Sequence, residues 1–140
     1  MLNIDTSTEF GSRVLRRLEE ETIIWLVTVD ADSTPQPSPV WFLWDGETML
    51  IYSQPNTPKL RNIERQPRVA LHFDSDGQGG DIIVLTGTAA IDPGALPANA
   101  VPEYLEKYHA HISNIGMDPE RFAAGFSVAI RFTPESVRGH

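Results

Sequence analysis

Apolar residues recur every fourth position near the start of the chain, at Phe10, Val14 and Leu18. That spacing puts them on one helical face, and Thr6 followed by Glu9 has the form of a capping box, so the pattern predicts a helix over residues 6–20. The period then changes. "TIIWLVTV" (Thr22–Val29), "QPSPVWFLW" (Gln36–Trp44) and "TMLIYS" (Thr48–Ser53) read as three strands, the last two joined by an Asp45-Gly46 turn. "RVALHFD" (Arg68–Asp74), "DIIVLTGTAAID" (Asp81–Asp92) and "SVAIRFTPESV" (Ser127–Val137) complete a set of six. Tyr104, Tyr108 and Ile112 predict a helix over Pro102–Ile112, and "DPERFAAGF" (Asp118–Phe126) one short helical turn. Strands dominate and their turns are short. The expected fold is mainly β, a six-stranded antiparallel barrel with peripheral helices, in one domain spanning residues 1–140.

One predicted strand departs from simple alternation. Along Gln36–Trp44, Val40, Phe42 and Trp44 point one way while Trp41 and Leu43 point the other, so both faces are apolar. A half-solvated sheet keeps one face polar. The outer face here must therefore be covered, whether by a helix, a dimer partner or a flat ligand.

Composition narrows the function. A chain of 140 residues with 41% hydrophobic content is long and apolar enough to bury its own core. Nineteen acidic residues against eleven basic ones give a net charge of -8, which disfavours duplex nucleic acid or an anionic membrane as the main partner. The absence of cysteine removes thiol nucleophiles and Cys-ligated metals. The longest apolar run, Ile23–Val27, is too short to span a bilayer, and "MLNIDTSTEF" lacks the pattern of a secretory signal; a cytoplasmic location is the expectation.

Against that acidic background the segment from Lys59 to Arg68 gathers Lys59, Arg61, Arg65 and Arg68 with only Glu64 opposing them. Ser53 ends a strand, Thr57 is placed as an N-cap, Pro58 suits the first helical position, and the helix stops before Pro67. Leu60 and Ile63 define its buried face. Lys59 and Asn62 flank that face near the helix start, while Arg61 and Arg65 are expected to point to solvent. A helix start attracts anions through its free N–H groups and dipole. Ser53, Thr57, Lys59 and Asn62 thus form a candidate anion site; the alternative is simple capping beside a surface lysine.

Other patterns carry less chemistry. His109 and His111, two apart on a helix, diverge by about 200° and make a poor ligand pair. His72 reads as a hydrogen-bonded strand residue, and "GQGG" (Gly77–Gly80) lacks the Lys-Ser/Thr of a phosphate-binding loop. The carboxylates form no readable pair, and the sequence assigns no metal site and no catalytic residue.

The order and spacing of "PQPSPVWFLWDG", "YSQPNTPKLRNIERQPRVALHF", "LTGTAAI" and "FSVAIRFTPESVRG" resemble the pyridoxamine 5'-phosphate oxidase-like split β-barrel family. Within it, the likeness is to small proteins that use the deazaflavin coenzyme F420. The resemblance implies a homodimer with cofactor sites at the subunit interface, a small-molecule substrate, and hydride transfer between reduced deazaflavin and an electrophilic organic compound. It places Ser53, Thr57, Lys59 and Asn62 at the cofactor phosphate, and Pro39 and Val40 on the strand supporting the tricyclic ring, with Trp41 near it. Gly87 matches a glycine of the barrel wall, where a bulge is the plain alternative. Flavin-bound relatives carry basic residues on the strand equivalent to Gln36–Trp44, and this chain has none there. That favours coenzyme F420 over FMN. A non-catalytic protein binding the cofactor or haem is the other alternative.

Overall fold

In the computed structural model, which describes residues 2–140, the strand expected over Gln36–Trp44 breaks at Trp41–Phe42. The elements are α1 (Glu9–Glu20), β1 (Ile24–Val29), β2 (Pro35–Val40), β3 (Leu43–Trp44), β4 (Met49–Ser53), α2 (Pro58–Arg65), β5 (Arg68–His72), β6 (Ile83–Ile91), α3 (Pro102–Asn114), α4 (Pro119–Gly125) and β7 (Val128–Gly139). The strands form one seven-stranded sheet in the order β2-β1-β5-β6-β7-β4-β3, and neighbours pair antiparallel.

The break forces the shape. In a flat sheet the two edge strands of seven would lie about 29 Å apart, at roughly 4.8 Å per neighbour. Yet β2 ends at Val40 and β3 begins at Leu43, so at most about 11 Å of chain joins the two edges. The sheet has to curl until its first and last strands nearly meet. This is a split β-barrel, with seven strands where the sequence predicted six, because one predicted strand serves both edges.

Two apolar clusters follow. Inside the curl, Ile24, Leu26, Phe42, Met49, Ile51, Leu71, Leu85, Ile130 and Phe132 pack with Val14 and Leu18 of α1 and with Leu60 and Ile63 of α2. Outside it, Leu50 and Tyr52 of β4 pack against Tyr104, Tyr108 and Ile112 of α3 and Phe122 of α4. Strand β4 is buried along its whole length because it is covered on both faces. The same layer explains the doubly apolar segment: Val40 and Phe42 face the inner cluster, and Trp41 and Leu43 the outer one. The cover is the chain's own α3–α4 layer, so this pattern requires neither a second subunit nor a ligand.

A backbone that leaves a sheet edge must find partners for its polar groups. At Phe42 they come from α3. The Phe42 N–H donates to the Tyr108 hydroxyl at 2.8 Å, that hydroxyl donates to the Thr22 carbonyl at 2.7 Å, and the Lys107 ammonium donates to the Phe42 carbonyl at 2.8 Å. Burial pushes the Tyr108 phenol well up and the Lys107 amine down to about 8. Tyr108→Phe strands a buried N–H, so it should cost about 2 kcal/mol, or roughly 6 °C of thermal midpoint. An unchanged midpoint in thermal unfolding would show that the corner is held by packing alone.

Two further details correct the expectations. Helix α1 begins at Glu9 and is capped by Thr8, whose hydroxyl accepts from the Gly11 N–H at 2.9 Å. Thr6 lies instead in a turn closed by the Asp5 carboxylate on Ser7. Gly87 sits where the pairing of β6 with β7 slips, with Thr86 opposite Ser136 but Gly87 opposite Pro134. Glu135 is the extra residue, and Pro134, which has no N–H to offer the ladder, falls at the bulge.

Candidate functional site

After β4 the chain turns through Gln54-Pro55-Asn56, with Asn56 in the left-handed region at φ 64°, and enters α2. Thr57 holds the N-cap position with extended backbone, as its spacing predicts, but makes no side-chain cap bond. Its hydroxyl lies 3.1 Å from that of Ser53, which is buried and also bonds the Gln54 carbonyl at 2.8 Å. The Leu60 N–H donates instead to the Thr57 carbonyl at 3.2 Å, which leaves the Lys59 N–H over at the helix tip. Beside it stands Lys59, half-buried, its amine pushed below the ordinary lysine range by desolvation alone. Among the described residues no carboxylate or carbonyl answers this cation.

These groups border a cleft of about 280 Å³ between the barrel wall and the α3–α4 layer. Pro39, Val40 and Trp41 form one side, and Ser53, Thr57 and Lys59 form the polar end. Six of the seven residues singled out in the sequence thus share one cavity. Trp41 is a fixed wall, held parallel to Tyr108 at 4.8 Å and to Phe122 at 5.4 Å, and Phe126 extends the column at 4.6 Å from Phe122.

Asn62 is not among them. It is buried on the far side of Lys59, donating to the Thr28 hydroxyl at 3.0 Å and accepting from Arg65 at 3.0 Å. Its position three residues after Lys59 turns it towards β1, where it ties the helix to the barrel. With Thr28, Asp30, Gln36 and Ser38 it borders a separate hollow of about 330 Å³, which also touches Lys59. Lys59 therefore borders both hollows. Arg61 and Arg65 are exposed as expected, but both reach back to backbone: Arg61 to the Asn56 carbonyl at 3.0 Å and Arg65 to that of Val29 at 3.3 Å.

Tyr52, Tyr104, Ile115 and Phe126 also line the cleft, and no motif or spacing placed them there. Fourfold spacing marked Tyr104 as buried, but which cavity its ring borders depends on how α3 crosses β4. The remaining histidines stay apart: His72 stacks on Trp25 at 6.3 Å, His109 is exposed, and His111 lies edge-on to Trp41 at 5.7 Å. A larger hollow, about 660 Å³ near Leu50 and Val101, is a different kind of place. Its one cation, Arg131, is already held by Asp92 at 3.0 Å and Thr48 at 3.0 Å, and Asp45 and Glu103 stand beside it. An anion has nothing to gain there.

The split barrel that carries this cleft is shared with known proteins. The pyridoxamine 5'-phosphate oxidase family profile matches residues 11–140. The chain belongs to this family. Among solved structures, one described as an F420 reductase is 25% identical, with 88% of this chain and 94% of that chain covered at a TM-score of 0.65. The haem storage protein HutZ from Vibrio cholerae is 15% identical over 94% of this chain and 95% of its own, at 0.62. General Stress Protein 26 from Bacillus anthracis is 17% identical over 90% and 89%, at 0.68. At those lower identities the likeness is one of fold. The fold is thus shared by proteins described in different terms, and the site must be read from this chain's own residues. No helix among the described residues is long and apolar enough to cross a membrane.

Proposed function

We propose that this protein is an oxidoreductase that binds coenzyme F420 and passes a hydride between it and a small electrophilic organic molecule. The observation that carries the reading is Lys59, a desolvated ammonium without a partner at the polar end of a cleft walled by aromatic rings. Leaving a cation so placed is costly unless an anion arrives. A phosphoryl group suits it, with the Ser53 and Thr57 hydroxyls and the spare helix-tip N–H as further donors. Pro39, Val40 and Trp41 offer a rigid apolar wall for a planar ring, and the hollow beyond Lys59 offers room for a hydrophilic chain. These residues fit the cofactor.

When bound, reduced deazaflavin supplies the hydride; the protein supplies position and exclusion of water. Lys59 and its neighbours fix one end of the bound molecule, and the Trp41 wall keeps its ring flat. Asn62 supports α2 rather than touching the phosphoryl group. One feature favours coenzyme F420 over FMN, the lack of any basic residue from Gln36 to Trp44; the 25% identical structures include one described as an F420 reductase and one described as a pyridoxamine 5'-phosphate oxidase, and do not separate the two. Arg61 and Arg65, exposed on the outer side of α2 and each already bonded to a backbone carbonyl, lend an anionic tail only a screened attraction. We also propose a homodimer, with the partner closing the cleft mouth where Ile115 is 51% exposed; its measure is the mass of the protein in solution.

The test is a parallel titration of the purified protein with oxidised coenzyme F420, FMN and haem. Binding of coenzyme F420 at least tenfold tighter than FMN, with turnover of an enone or quinone by its reduced form, is the expected result. Tighter FMN binding moves the reading to a flavoprotein of the same fold. Haem binding alone makes it a non-catalytic binding protein.

A further inference from the structure

Three buried side-chain polar atoms lack a hydrogen-bond partner among the described residues: Trp44 Nε1, His111 Nδ1 and the Tyr104 hydroxyl. Tyr104 alone of the three lines the cleft that holds Lys59. It is completely buried, and its ring is clamped edge-on by Tyr52 at 5.0 Å and flanked by Tyr108 at 4.9 Å and Phe122 at 6.0 Å. A ring held on three sides keeps its hydroxyl in place. The neighbouring Tyr52 shows the ordinary solution, its hydroxyl donating to the Leu96 carbonyl at 2.6 Å. Packing alone would be served by phenylalanine at position 104, and a buried hydroxyl without a partner works against the fold. A ligand can supply what the protein withholds.

We infer that the Tyr104 hydroxyl donates a hydrogen bond to a carbonyl oxygen of the planar molecule that enters the cleft. The inference rests on the reading of the cleft proposed above and assigns it a second polar contact, separate from the phosphoryl end at Lys59. Burial and the neighbouring tyrosines hold the phenol far above its usual range, so it stays protonated and acts as a fixed donor rather than as an acid. The carbonyl belongs either to the cofactor ring or to the substrate. In the second case the electron count is simple. Two electrons and one hydrogen pass as hydride from reduced deazaflavin, which is oxidised, to the β-carbon of a conjugated ketone. The charge collects on the ketone oxygen as an enolate, where the Tyr104 hydrogen bond steadies it, and water then protonates the α-carbon.

Tyr104→Phe and Tyr52→Phe are compared with the wild type in thermal unfolding, in binding of oxidised coenzyme F420, and in reduction of 2-cyclohexenone by reduced coenzyme F420. Tyr104→Phe should unfold no earlier than wild type, whereas Tyr52→Phe, which removes a satisfied donor, should unfold several degrees earlier. If the cofactor is the acceptor, Tyr104→Phe raises its Kd about tenfold. If the substrate is the acceptor, the Kd holds and kcat/KM falls about tenfold. Either result supports the inference. Unchanged Kd and kcat/KM overturn it while leaving the cofactor reading intact. A loss of stability in Tyr104→Phe as large as that in Tyr52→Phe also overturns it, since the hydroxyl would then have a partner already. A wild type that binds neither coenzyme F420 nor FMN overturns the cofactor reading and this inference together.

Discussion

Lys59→Ala should weaken coenzyme F420 binding about a hundredfold, some 2.7 kcal/mol, while Arg61→Ala changes it less than threefold. The difference comes from solvation. Lys59 is half-buried and desolvated, so a phosphoryl group placed against it gains a charge-assisted hydrogen bond in a poorly screened setting. Arg61 is exposed, its guanidinium already bonded to the Asn56 carbonyl, and water screens whatever it contributes. Fluorescence titration of both variants measures the contrast, and equal losses would show that α2 acts only as a diffuse basic surface.

The sign of two further effects follows from the same burial. Because desolvation lowers the Lys59 pKa, its charge works against the unliganded fold at neutral pH, and folding becomes more favourable as the amine deprotonates. Lys59→Met, which keeps an apolar stem, should therefore leave the thermal midpoint of the free protein level or raised. Phosphoryl binding needs the ammonium, so wild-type affinity should decline as pH rises through that lowered value, and the Lys59→Met titration should show no such decline.

Gly87→Ala should be strongly damaging for a single added methyl group, lowering stability by about 3 kcal/mol and the midpoint by roughly 10 °C. A Cβ at this position would run into the Thr133 carbonyl oxygen and lie 2.9 Å from the Pro134 Cα. Both are backbone atoms of the paired strand, so no rotamer change can relieve the contact; β6 and β7 must separate at the bulge. Thermal unfolding of Gly87→Ala decides the matter, and an unchanged midpoint would mean the two strands yield there at little cost. Gly87 thus has a structural task and needs no contact with a cofactor to explain it.

Periodicity made most of the elements legible. Val14 and Leu18 in α1, Leu60 and Ile63 in α2, and Tyr104, Tyr108 and Ile112 in α3 are buried as their spacing predicts. Burial alternates along β1 and along β6 as far as Ala89. Where the reading failed, it failed for a physical reason. Gln36–Trp44 keeps its alternating facing right through the corner, because Val40 and Phe42 enter the inner core while Trp41 and Leu43 enter the outer one. Alternation reports which side a residue faces and is silent on which strand it pairs with. Asn62 differs from its companions: a helical offset of three residues brings it close to Lys59, but its amide bonds the buried Thr28 hydroxyl on β1 and it lies outside the cleft.

What the chain order alone determined is local: helix and strand periods, the Thr57-Pro58 helix start, and the concentration of positive charge along α2, since each depends on residues within a few positions of one another. Only the tertiary fold decided that Trp41 and Lys59 border one cleft, that Asn62 does not, and that Tyr104 joins them with its hydroxyl unmatched. Those facts arise when a curled sheet and a helical layer bring together segments tens of residues apart, a distance over which no sequence period carries information.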